Sequence, residues 1–218
     1  MAINKTAYHS IKKELDLQEV LLVAVSKTKP VEDILELYNL GHRDFGENYV
    51  QELLEKAKQL PNDIRWHFIG HLQTNKVKLI VSFVQLIHGV DSLKLLKEIN
   101  KEAGKSGRIV DCLLQVHIAQ EETKFGFDEK ELNDVQMSGY ANVQIKGLMG
   151  MASFTDDMDK VRTEFRNLKN LFDKQAQLQT SNFKPQILSV GMSSDYKIAI
   201  EEGSNMVRIG SLLFGTRG

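Results

Sequence analysis

Strand-sized apolar runs alternate with amphipathic stretches along the whole of this chain, and the alternation repeats eight times. A continuous apolar run suits a strand packed on both faces, while apolar residues spaced three and four apart give a helix one face to pack with. Strands that alternate with helices pair in parallel, so the expected class is α/β. Eight repeats is the number that closes a (β/α)8 barrel; closure, as opposed to an open doubly wound sheet, rests on that count.

The pattern predicts an opening helix over Thr6–Leu17, a strand over Val20–Val25 and a helix carrying Val31, Ile34, Leu35 and Tyr38, with Gly41 as its stop. A short strand over Asp44–Glu47 and a helix over Tyr49–Leu60 follow, then a strand over Arg65–Ile69 and a brief helix near Lys76–Leu79. Gln85–Gly89 reads as the fourth strand and Leu93–Ala103 as its helix. In the second half, strands are expected over Ile109–Ile118, Gln144–Met149, Gln186–Val190 and Met206–Ile209. Helices are expected over Asp128–Ser138, Met158–Gln177 and Asp195–Glu202, the last stopped by Gly203.

Composition excludes several classes. The 218 residues carry a formal net charge of −1, with no basic excess or polybasic stripe, so a nucleic-acid surface is not expected. Charges break every apolar run well short of a membrane span, and the first residues lack the apolar core of a signal peptide. The single cysteine, Cys112, excludes an internal disulfide and fits a small buried hydrophobe in a reduced, cytoplasmic protein. With three prolines and no Gly/Ser-rich tract there is no evident linker, and residues 1–218 read as one domain.

Chemistry collects where such folds place ligands, at the carboxyl ends of the strands. Leu21–Val25 runs into Ser26-Lys27-Thr28-Lys29-Pro30, which puts Lys27 at the end of a buried strand. An amine partly withdrawn from water there is a nucleophile for an aldehyde, a Schiff-base candidate. Other strand ends supply Glu47 and Asn48; His67, Gly70 and His71; Gly150 to Ser153; Gly191 to Asp195; and Arg208, Gly210 and Ser211. Loops after the seventh and eighth strands are rich in small residues, and barrels commonly hold phosphate there. An amine for an aldehyde and a cradle for a phosphate together point to pyridoxal phosphate. Each piece has a second reading. Lys27 can be solvated or paired with a carboxylate, Gly191 and Gly210 can serve tight turns, and Ser193 or Asp195 can cap a helix. Arg208 lies amid apolar residues, which is costly unless it is paired, and it can point outward into an ion pair. His67 and His71 would not share a helical face, so no metal site is expected. His42, His88 and His117 form no usable pattern.

Together these segments resemble the pyridoxal phosphate homeostasis proteins of the YggS/PROSC type. The resemblance is carried by Ala24–Pro30, Phe45–Glu52, Trp66–Gln73 with Asn75 and Lys76, Gly147–Met149, Leu188–Ser193, Val207–Gly210 and Phe214-Gly215, in the family's order. It implies a barrel similar to the amino-terminal domain of alanine racemases, with pyridoxal 5'-phosphate held covalently on Lys27. It further implies Arg208 facing the pyridine nitrogen, Ser193, Gly210 and Ser211 on the phosphate, and Asn48 beside the ring. Ser211 stands where many relatives carry threonine, which keeps the hydroxyl; Val190 replaces a commoner methionine.

The implied function is to hold and deliver the cofactor, with apo-enzymes as recipients and an indirect effect on amino-acid and keto-acid pools. The alternative is a weak amino-acid racemase. Racemisation needs acid/base groups on both faces of the α-carbon, and barrel-type racemases take one from an added β-domain, expected to be absent here, where the chain reaches Gly218 nine residues after the last strand. An arginine at the pyridine nitrogen also disfavours its protonation and weakens the ring as an electron sink. A non-catalytic monomer is therefore expected. Lys76 and Lys78 read as a solvated face rather than a second cofactor site.

Overall fold

In a computed structural model describing residues 3–118, 126–134, 140–177 and 183–215, the eight apolar runs form eight strands. They are β1 (Leu21–Val25), β2 (Asp44–Glu47), β3 (Arg65–Phe68), β4 (Leu86–Val90), β5 (Val110–Gln115), β6 (Val143–Met149), β7 (Phe183–Ser189) and β8 (Met206–Ile209). Each pairs in parallel with its sequence neighbour, and β8 pairs with β1 through Leu21–Met206 and Val23–Arg208, so the sheet closes. The expected (β/α)8 barrel is the observed fold.

The helices are α1 (Lys5–Asp16), α2 (Val31–Asn39), α3 (Val50–Gln59), α4 (Val77–Ile80) after a 3-10 turn at Thr74–Lys76, and α5 (Leu93–Lys105). They continue with α6 (Glu129–Asp134), α7 (Met158–Ala176), α8 (Tyr196–Glu201) and α9 (Ser211–Phe214). Asn4 accepts a hydrogen bond from the Ala7 N–H and starts α1, and Gly41 and Gly203, both at φ +95°, follow α2 and α8. Among the described residues, no helix is long and apolar enough to cross a membrane.

The larger differences from the sequence reading are at the fifth strand, the seventh strand and the segment after β8, the other boundaries shifting by one or two residues. The fifth strand is shorter than Ile109–Ile118: Ile109 is exposed, and beyond Gln115 the described residues add an isolated bridge, Val116 to Phe127. The seventh strand begins at Phe183 rather than Gln186, because Pro185 falls where the β6–β7 register shifts and its missing N–H removes no ladder bond. The four-residue α9 after β8 was not expected; it is too short for periodicity to reveal. The end of the expected Asp128–Ser138 helix lies outside the described residues.

The core has two parts. Between barrel and helices, Phe45, Phe68, Ile34, Leu37, Leu53, Ile87, Leu114 and Phe165 belong to one continuous apolar layer. Inside the barrel, Val23, Leu86, Leu113, Met149 and Met206 form a smaller cluster. Apolar side chains ordinarily fill a barrel. Here polar residues share the interior, and they bear on the site above it.

Candidate functional site

Lys27, Asn48, Ser193, Arg208, Gly210 and Ser211 all line one cavity of about 580 Å3. They arrive from the carboxyl ends of β1 and β2, from the loop after β7, and from β8 and the turn after it. Val25, Ile69, Met151, Phe154, Met192 and Leu212 supply apolar wall, with Phe154 fully exposed at 99%. The sequence expectation that these six residues meet is thus met in space.

The segment bearing Lys27 is anchored from beneath. Ser26 Oγ donates to Glu47 Oε1 at 2.6 Å, and Lys56 Nζ donates to the same oxygen at 2.8 Å and to the Ser26 carbonyl at 2.7 Å. Lys56 also pairs with Glu52 Oε1 at 2.7 Å, which accepts the Thr28 N–H at 2.6 Å. Lys27 therefore sits between two residues whose backbones are tied to α3. Thr28 adopts φ +63°, unusual for a β-branched residue, and the Glu52 carboxylate holds it there. Burial pushes the Glu47 carboxyl up despite Lys56 and Ser26, and its Oε2 has no hydrogen-bond partner among the described residues. Nothing in the α3 pattern marked Lys56 as buried, although its spacing of four from Glu52 was a usable sign.

Arg208 points inward, not into a surface ion pair. Its Nη1 donates to the carbonyl and hydroxyl oxygens of Ser189, both at 2.7 Å, and Nη2 donates to the Gly150 carbonyl at 3.0 Å. Burial lowers its pKa to about 10, with Asp195 acting the other way, so the guanidinium stays charged near neutrality. Burial raises the Asp195 carboxyl, which accepts the Met192 N–H at 2.6 Å instead of capping α8. Ser193 does not cap either: its Oγ accepts the Gly210 N–H at 3.2 Å and ties the two loops together. Among the described residues, the N–H groups of Ser193, Ser194, Ser211 and Leu212 have no acceptor, and all four residues line the cavity. Such a set of donors suits an anion.

Other sequence candidates take supporting places or lie elsewhere. Gly70 packs so closely that a Cβ there would lie 2.3 Å from the Asn48 carbonyl oxygen, so this glycine fixes how Asn48 enters the cavity. Gly191 adopts φ +98° against α8. Ser153 is bound to Glu164 through both its N–H and hydroxyl, and Gly150 contributes its carbonyl to Arg208. His67 lies inside the barrel, whereas His71 is exposed and bonded to Asp91, so the two share no centre. Among the described residues no cluster could hold a metal ion. Lys78 is exposed, and Lys76 lines a separate hollow of about 310 Å3.

A half-buried amine, an apolar wall, a charged guanidinium at the floor and a ring of backbone donors can hold a small anionic molecule and present an amine to its carbonyl. The family described as alanine racemase, N-terminal domain, matches residues 7–218. The pyridoxal phosphate homeostasis protein of Aquifex aeolicus is 44% identical over 200 residues, covering 90% of this chain and 86% of that protein. Its counterpart in Schizosaccharomyces pombe is 38% identical over 212 residues, covering 95% and 88%. Among solved structures, PipY of Synechococcus elongatus with PLP bound superposes with a TM-score of 0.87 at 35% identity, covering 96% of this chain and 99% of that one. An alanine racemase of Clostridium difficile has a TM-score of 0.75 at 15% identity over 58% of its own chain, a likeness of fold alone.

Proposed function

We propose a use for this cavity from one premise: the chain belongs to the pyridoxal phosphate homeostasis protein family. The protein binds pyridoxal 5'-phosphate, holds it covalently through Lys27 and hands it on to apo-enzymes that need it. The observation that carries this reading is the convergence of Lys27 with a set of unpaired anion donors in one cavity. The residues fit the cofactor. Among the described residues, Asn48 Oδ1 is buried at the cavity with no hydrogen-bond partner, as expected of a group that a ligand completes, and the loop N–H groups are likewise unused.

When bound, the cofactor supplies an aldehyde carbon and an electron-withdrawing ring. Lys27 Nζ is the nucleophile for the aldehyde, oriented by the Ser26–Glu47–Lys56–Glu52 anchor. Ser193, Ser211 and the neighbouring backbone N–H groups hold the phosphate, and Gly210, whose N–H donates to Ser193 Oγ, shapes the cradle between them. Asn48 lies beside the ring. Arg208 faces the pyridine nitrogen and, remaining a cation that only donates, opposes a proton there. Met151 and Phe154 offer apolar surface along one side of the site.

Holding and delivery are favoured over racemisation by the lining itself. Among the described residues of the cavity the only titratable side chains are Lys27, Lys29 and Arg208, and Lys29 Nζ donates to the Gly215 carbonyl at 3.2 Å. No tyrosine, histidine or carboxylate among them stands ready as a second acid/base group.

Purified protein mixed with pyridoxal 5'-phosphate should gain a visible absorption band, and borohydride should fix the cofactor to the peptide containing Lys27. An undiminished adduct in Lys27→Ala would sink the assignment. Pyridoxal without its phosphate should bind far more weakly, and Ser193→Ala with Ser211→Ala should narrow that difference. Equal affinity of the unaltered protein for both, by equilibrium dialysis, would remove the case for an anion cradle.

A further inference from the structure

A hydrogen-bonded chain crosses the barrel interior from its far end to Arg208. Arg65, at the start of β3, donates to both oxygens of Asp44, through Nε at 2.7 Å and Nη2 at 2.5 Å. Asp44 Oδ1 lies 3.1 Å from His67 Nε2, and His67 Nδ1 lies 3.0 Å from His88 Nε2. His88 Nδ1 lies 3.2 Å from Ser189 Oγ, the oxygen that accepts from Arg208. Asp44, His67, His88, Ser189 and Arg208 are all buried, and they come from β2, β3, β4, β7 and β8. Polar groups in a barrel core cost stability unless every member is satisfied.

The donors can be ordered. Burial alone would raise the Asp44 carboxyl, but bonds from Arg65 and His67 outweigh it and hold it well below the usual range. Asp44 therefore accepts, and His67 Nε2 carries a proton. Burial pushes the His88 pKa well down, and the nearby Arg208 cation pushes the same way, so His88 is neutral with one N–H. If that N–H is on Nε2, it donates to His67 Nδ1, His88 Nδ1 accepts from the Ser189 hydroxyl, and Arg208 donates to the Ser189 oxygen. Every donor then meets an acceptor. If His88 carried its proton on Nδ1 instead, both His88 and Arg208 would donate to Ser189 Oγ, and the Ser189 hydroxyl proton would have no acceptor in the chain.

We propose that Asp44, His67, His88 and Ser189 form a relay of positioning residues that fixes two imidazole tautomers in series and turns a lone pair of Ser189 Oγ toward Arg208. With the Ser189 and Gly150 carbonyls, that lone pair makes a three-oxygen clamp that holds the guanidinium in one orientation. The consequence for the cofactor rests on the placement of Arg208 at the pyridine nitrogen. None of these four residues lines the cavity.

The first test needs no cofactor. Imidazole nitrogen NMR on the apo-protein near neutral pH, assigned with His67→Gln and His88→Gln, should show both rings protonated on Nε2 with Nδ1 bare. A proton on His88 Nδ1 overturns the relay. Asp44→Asn should change the His88 tautomer populations from two residues away along the chain; unchanged His88 resonances also overturn it. The second test uses loaded protein. His88→Leu keeps apolar volume but breaks the series, whereas His88→Gln keeps a donor and an acceptor. All forms should give the same yield of borohydride-fixed adduct, with the visible band displaced in His88→Leu and restored in His88→Gln. Identical bands in all three would refute the link to Arg208. No adduct in the unaltered protein would count against the cofactor reading alone, and the apo-protein tautomers would still decide the relay, as they would if His88→Leu failed to fold.

Discussion

Replacing Lys56 with methionine removes one half of the buried charge system under Lys27. The Lys56 ammonium is only 6% exposed and makes three hydrogen bonds: to Ser26, to fully buried Glu47 and to partly exposed Glu52. Methionine preserves the length of the stem but leaves Glu47 as an uncompensated buried carboxylate whose second oxygen is already without a partner. Breaking a buried pair from one side costs about 3–5 kcal/mol. For a chain of this size that is roughly 6–20 °C in Tm, at about 2–4 °C per kcal/mol. Lys56→Met with Glu47→Gln leaves no buried charge and should recover most of the loss. The pH dependence gives an internal check. Burial raises the folded-state pKa of Glu47, so the folded protein binds more protons than the unfolded chain between the two pKa values. Stability linked to this group is therefore greatest below the unfolded carboxyl value of about 4.3 and falls as pH rises through the folded value. Removing the ammonium raises the folded value further. In urea unfolding, the gap between Lys56→Met and the parent should be small near pH 4 and widen toward neutrality. A loss below 1 kcal/mol at pH 7, a gap independent of pH, or a double variant no better than the single would refute the argument.

Two further perturbations read other parts of the frame. Burial lowers His42 from 6.5 to about 4, so its contribution is present above pH 6.5 and is lost as pH falls toward 4; His42→Gln should flatten that limb of the Tm profile by up to roughly 3 kcal/mol, and an unchanged slope would contradict it. Thr28 at φ +63° stores left-handed strain of roughly 1–2 kcal/mol, so Thr28→Asn should raise stability in urea unfolding, whereas a clear loss would show the strain is not there.

The barrel was legible because its signal is redundant. Strand-like segments, most of them apolar, alternate eight times with amphipathic ones, and no single boundary decides the class. The errors at β5 and β7 arose where local composition and pairing disagree: Ile109 is apolar but exposed, and Pro185 is tolerated only because the neighbouring register shifts beside it. The six cavity residues were legible for a different reason. Strand ends in a parallel barrel share one face, which gives a wider set that also holds Glu47, His67, His71 and Ser153, none of them in the cavity lining, and the family resemblance narrowed that set to the six.

That reasoning has no purchase on residues inside the barrel. Asp44, His67, His88 and Ser189 lie within strands, and their adjacency depends on stagger and on side chains crossing a closed interior, quantities that no local window contains. Yet the clue that singled out Arg208 applies equally to His88, between Ile87 and Gly89, and to Ser189, between Leu188 and Val190: a polar residue in a short buried strand must find partners or be selected against on stability. Applied to every strand rather than one, it yields a set of polar residues that can satisfy each other only across the interior. Arg208 belongs to both sets, as a cavity residue and as the last member of the buried chain. The cost of threading five polar side chains through a barrel core is thus intelligible if what they stabilise is one orientation of a guanidinium at the floor of the site.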